Sequence, residues 1–150
     1  MSNEMGTADA LVILTRIKAY HSPQSDDDAT CEAWADALNY GGVTNVRDAV
    51  MAVVRHYNTQ GANPFIIPGD VIAGYQDIRE ARQVNIGDGD LTEDVDPYDT
   101  RACNATLRAR RRAIGDGMPL DQVKALPLPA EARHALVDRR ERPVILARQS

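Results

Sequence analysis

The densest chemistry in the sequence is Arg108-Ala109-Arg110-Arg111-Arg112, four guanidinium groups in five residues. Each is planar, permanently charged and carries five donors, so the run suits phosphates or carboxylates. On a helix the four spread around more than half the circumference, too widely for one local partner to absorb them all. The competing reading is a solvated helix face neutralised by nearby acid. No aromatic residue interleaves the run to stack on bases. Arg139-Arg140-Glu141-Arg142 repeats the theme more weakly.

Acidic residues offer less. Asp88, Asp90, Thr92, Asp94, Asp96 and Asp99 alternate as in a calcium loop. With Asp88 as the first position, however, Glu93 stands where the turn needs glycine, and Asp99 stands where a bidentate Glu closes the shell. Ser25-Asp26-Asp27-Asp28 reads as a helix cap, its oxygens accepting from the first free backbone amides. His21, His56 and His134 are scattered, and His56 is expected to bond the last carbonyls of a helix. The sequence has no Gly-x-x-x-x-Gly-Lys loop and no Ser/His/Asp or Cys/His grouping. The expectation is a non-enzyme with no catalytic residue, no metal and no cofactor.

Composition sets the frame for these groups. The 150 residues are 43% hydrophobic but only 5% aromatic, so the core must be built from Val, Ile, Leu and Ala, which favours helices. Residues 1–100 hold 6 Lys/Arg against 17 Asp/Glu, and residues 101–150 hold 11 against 5. Opposite halves of this kind point to a basic tail that meets nucleic acid, an acidic protein or the acidic half of its own chain. Cys31 and Cys103 lie in separate halves without a CxxC, and no signal segment opens the chain, which suggests a reduced, cytoplasmic protein. Apolar runs such as residues 10–14 are far short of the roughly 20 residues needed to cross a bilayer.

Apolar periodicity places four helices in the first half. Ala10, Ile13, Leu14, Ile17 and Tyr20 make one face of a helix capped by Thr7. Cys31, Trp34, Ala35 and Leu38 make a second, which ends near Gly41-Gly42. Val46, Ala49, Val50, Val53, Val54 and Tyr57 make a third. Pro68 opens a fourth with Val71, Ile72, Tyr75 and Ile78 inward. Residues 84–99 dissolve into acidic, turn-rich sequence that reads as a mobile linker. Beyond them lie helix-forming stretches with few large apolar residues. Leu120, Val123, Leu126, Leu136 and Val137 find no obvious partner within the chain, as expected of a segment that folds on a partner's groove. The fold class is therefore all-α: a four-helix domain over 1–83, an acidic linker over 84–99 and a basic, partly helical arm over 100–150.

The order of parts, Cys31-Glu-Ala-Trp34-Ala-Asp-Ala-Leu38, then Val46 to Arg55-His56-Tyr57, then Phe65-Ile-Ile-Pro68-Gly-Asp-Val71-Ile72 running into Asp77-Ile78-Arg79, is similar to small phage proteins of the replicative-helicase loader and inhibitor family. The resemblance covers about residues 8–82 and rests on apolar pattern and a few anchors. It implies a non-enzymatic protein, active in the host cytoplasm, that grips the hexameric replicative helicase of host or phage and inhibits it or loads it. An origin-binding protein is the implied second partner. In that family the folded half is N-terminal and a flexible C-terminus grips the helicase. By that order the partner-binding residues here are Arg108, Arg110, Arg111, Arg112, Leu120, Val123, Leu126, Leu136, Val137, Arg139 and Arg140, with DNA contact through the basic arm as an added option. Two other readings stand beside it: a DNA-binding regulator using the third and fourth helices as a helix-turn-helix, and a phage protein that captures another host factor.

Overall fold

A computed structural model describes residues 4–132. Among them there are α-helices and turns and no strand: α1 (Thr7–Lys18), α2 (Asp28–Tyr40), α3 (Val46–Asn58), α4 (Pro68–Gln83), α5 (Asp88–Thr92), α6 (Thr100–Gly115) and α7 (Leu120–Lys124). The chain divides into two units between Ala81 and Arg82.

In the first unit, local chemistry starts each helix. Asp9 Oδ2 accepts the Gly6 N–H at 3.0 Å, so Gly6 rather than Thr7 occupies the cap of α1. Asp27 accepts the Thr30 N–H at 2.8 Å and the Ser25 hydroxyl at 2.6 Å. These bonds, the Ser25 hydroxyl first, hold its carboxyl below the usual carboxylate range. Asn45 Oδ1 accepts from Asp48 N–H at 3.3 Å to open α3. Gly42 closes α2 in the left-handed region, φ +74°, which lets the Val43 N–H reach back to the Leu38 carbonyl at 2.9 Å.

The core of this unit comes from one face of each helix. Ala10, Ile13, Leu14 and Ile17 of α1 meet Cys31, Trp34, Ala35 and Leu38 of α2, Ala49, Ala52 and Val53 of α3, and Val71, Tyr75 and Ile78 of α4. Tyr20 stacks on Tyr57 with ring centroids 4.4 Å apart. Helices α3 and α4 approach closely at Gly74, where a Cβ would lie 2.9 Å from the Cβ of Ala52. Burial raises the pKa of the Cys31 thiol, with Asp28, Asp26 and Asp27 adding to the shift.

The second unit corrects the expected linker. Residues 84–99 contain α5, whose Leu91 is fully buried against Ile114 of α6 and Val123 of α7. Ile86, Leu107, Ala113, Met118 and Leu120 pack around these three. The acidic segment and the start of the basic arm thus build one core instead of standing apart. Val123, expected to await a partner, is buried within the chain, and Leu120 and Leu126 are half-buried. Gly117 ends α6 with φ +94°, and the Met118 N–H bonds the Ala113 carbonyl at 3.0 Å. Arg82 Nη1 donates to the Gly115 carbonyl at 2.7 Å. No helix among the described residues is long and apolar enough to cross a membrane.

Candidate functional site

Helix α6 carries the arginine run, and it is fixed at its start by Asp99, which accepts the Ala102 N–H at 2.9 Å. Its inward face holds Ala102, Ala105, Thr106, Ile114 and Gly115, mostly small residues. A run of charged residues at 3.6 per turn cannot all face water. Arg110 falls on the inward face and is only 2% exposed. Its Nη1 donates to the Leu91 carbonyl at 2.8 Å and to Asp94 Oδ1 at 2.6 Å; its Nη2 donates to Asp94 Oδ2 at 2.8 Å and to the Lys124 carbonyl at 3.4 Å. Leu91 and Lys124 lie at the ends of α5 and α7, helices so short that their last carbonyls have no intrahelical donor. A buried guanidinium satisfies both and favours the negative ends of both dipoles. Arg110 is therefore buried and bonded within the chain, where the sequence reading expected it to meet a partner.

Arg111 is held as well. Half-buried, it pairs with Asp88 and donates Nη2 to the Ile86 carbonyl at 3.3 Å. Lys124 pairs with Glu93 at 2.9 Å. The rest of the acidic stretch is also engaged: Asp90 accepts from Gly87 N–H at 3.3 Å and Asp96 from Tyr98 N–H at 3.1 Å. The hydrogen bonds from Arg110 hold the Asp94 carboxyl below its ordinary range, against a smaller opposing push from burial. The same bonds raise the guanidinium of Arg110 above its own.

Arg108 and Arg112 are exposed. Arg108 Nε donates to the Asn104 carbonyl at 3.3 Å. Beside them lies an open cleft of about 470 Å³ lined by Asp88, Asn104, Leu107, Arg108 and Arg111. Two residues missed in the sequence lie at the start of α6: exposed Arg101 within it, and Tyr98, 90% exposed, just before it. The sequence signal for Arg101 is its seven-residue spacing to Arg108, two turns of helix before the contiguous run. Leu136, Val137, Arg139 and Arg140 lie outside the described residues.

In the first unit the structure singles out the connector between α3 and α4. Tyr57 Oη donates to the Pro64 carbonyl at 3.1 Å, and His56 Nε2–H donates to the Asn63 carbonyl at 2.7 Å. His56 thus ties down the connector rather than its own helix end. Asn63 Oδ1 accepts the Phe65 N–H at 2.9 Å, and Asp70 Oδ2 the Ile67 N–H at 3.0 Å. Ile66 is buried, while Phe65 and Ile67 on either side are 49% and 52% exposed. A groove of about 360 Å³ between α3 and α4 is lined by both signs of charge, Arg55 with Asp70 and Asp77.

Among the described residues no group of three or more His, Cys, Asp or Glu side chains converges to hold a metal ion. No family model, no curated protein and no solved structure matches the chain.

Proposed function

We propose that the chain is a non-enzymatic adaptor of phage DNA replication that binds a hexameric replicative helicase, and that Phe65 and Ile67 of the first unit make the central contact. The observation that supports this most is the pinned connector. Two large apolar side chains stand outward on a backbone fixed by four hydrogen bonds, so a partner gains apolar burial without paying to order the loop. The helicase as partner rests on the resemblance over residues 8–82, which includes Phe65-Ile66-Ile67 among its anchors; the place of the contact departs from that family, whose C-terminus makes the grip.

This assignment moves the grip from the C-terminal arm to the folded first unit, because Arg110 and Val123 are consumed inside the second. Either outcome of binding, inhibition or loading with an origin-binding protein, uses the same contact. The helix-turn-helix reading has less support. That motif joins its helices by a turn of about three or four residues, whereas residues 59–67 separate α3 from α4.

The test is co-elution of the full chain with purified replicative helicase, followed by titration. Wild type should bind, and Phe65→Ser with Ile67→Ser should weaken binding by about 100-fold or more while leaving the melt of the first unit within a few degrees. Binding unchanged in the double variant refutes the contact. No binding by wild type refutes the helicase as partner.

A further inference from the structure

The arginines of α6 separate by what already holds them. Arg110 and Arg111 are committed to Asp94, Asp88 and backbone carbonyls inside the second unit. Arg101, Arg108 and Arg112 are exposed, and no ion pair engages any of them among the described residues. Their spacing of seven and four residues places them within about 20° of one line along the helix. At 1.5 Å per residue that line is about 16 Å long.

Among the described residues no carboxylate of the acidic stretch forms an ion pair with this line: Asp88, Glu93 and Asp94 pair instead with Arg111, Lys124 and Arg110. What remains is a row of planar, permanently charged groups on a rigid helix. A folded acidic protein would have to present carboxylates in matching register. A phosphodiester backbone carries a charge at every residue, so each arginine meets one whatever the register.

Tyr98 adds the second element. It is the one aromatic residue in 82–150 and stands 90% exposed, three positions before Arg101. Its backbone is fixed by the N–H bond to Asp96 Oδ1 and by the Asp99 cap that follows. A bare ring at the start of a helix that carries a row of cations is the combination that holds unpaired bases.

We propose that the second unit binds single-stranded nucleic acid, with Arg101, Arg108 and Arg112 each on a backbone phosphate and Tyr98 stacked on a base. This goes beyond the helicase reading and does not depend on it. The test is fluorescence anisotropy of the full chain with a thymine oligonucleotide of about 30 nucleotides, and with a duplex of equal length, between about 50 and 200 mM salt. Wild type should bind the single strand with log-linear loss on salt. R101Q/R108Q/R112Q keeps good helix formers at exposed positions; it should bind at least about 30-fold more weakly, with a salt slope smaller by about 2, or 0.7 per lost phosphate. Tyr98→Ala should weaken the single strand about tenfold and leave the duplex unaffected. Circular dichroism of each variant should match wild type. Absence of wild-type binding, a triple variant within about threefold of wild type, or equal binding of polyglutamate, the sign of an acidic protein partner, would each overturn the proposal. Equal loss on both nucleic acids with Tyr98→Ala would overturn the single-strand assignment.

Discussion

Arg110 and Asp94 form a two-pronged pair, with Nη1 and Nη2 at 2.6 and 2.8 Å from the two carboxylate oxygens. The two ends differ in setting: the arginine side chain is 3% exposed and the aspartate 45%. Water screens one end while the other is sealed among Leu91, Lys124 and the small residues of α6. Loss of the acid therefore matters more than its own exposure suggests, since it strands a buried cation.

Asp94→Asn should destabilise the second unit by about 2–3 kcal/mol, below the 3–5 of a fully buried broken pair because water reaches the Asp94 side. The chain has one Trp, Trp34, buried in the first unit, so its fluorescence follows that unit alone. The variant should shift part of the far-ultraviolet dichroism melt while leaving the Trp34 transition in place. A coincident shift of both probes would contradict this.

The same pair sets an acid limit. Because the folded-state pKa of Asp94 is depressed, its contribution is present above the unfolded value of about 3.9 and is lost as pH falls through the folded one. Helical signal from the second unit should begin to fall below about pH 4, and Asp94→Asn, already weaker at pH 7, should lose this step. A pH titration followed by dichroism measures both.

Much of the first unit was legible in the sequence because each helix has a simple apolar stripe. The four residues read as the inward face of α2, Cys31, Trp34, Ala35 and Leu38, are its buried residues. The second unit was not legible, for a physical reason. Among the described residues its core has three large buried apolar side chains, Leu91, Ile114 and Val123, one from each of three helices, two of them five residues long. No periodicity develops over so short a span, and a buried arginine at the centre looks in sequence like a solvated one. Phe65 and Ile67 were read only as part of an apolar turn, since nothing local shows which of three consecutive apolar residues faces in.

Gly74 should resist substitution by alanine. Helix propensity alone predicts a gain of about 1 kcal/mol. The new methyl would sit 2.9 Å from the Ala52 Cβ and 3.4 Å from its Cα, part of a packed helix that cannot swing aside. Overpacking costs about 1–3 kcal/mol, so the net change should be a loss of up to about 2. Ala52→Gly in the same chain should recover part of it. The Trp34 unfolding midpoint in urea reads both, and a stabilised Gly74→Ala would show that α3 and α4 have room to part.

Cutting the chain separates a unit held by apolar packing from one held largely by charge. Residues 1–83 keep the entire buried cluster of α1 to α4 and should melt cooperatively, reported by Trp34. Residues 82–150 retain Arg82 and its bond to Gly115, the three buried apolar residues and the pairs Arg110–Asp94, Arg111–Asp88 and Lys124–Glu93. Such a small core leaves stability marginal, so this fragment should be helical yet melt lower and more broadly than the first. Raising salt from about 0.05 to 1 M shortens the Debye length from more than 10 Å to about 3 Å and weakens the partly exposed pairs. Dichroism of 82–150 should therefore fall with salt while that of 1–83, whose pair Lys18–Asp26 is exposed and worth little, stays level. An unstructured 82–150 at low salt would return residues 84–99 to the role of a linker and remove the rigid α6 on which the arginine row depends.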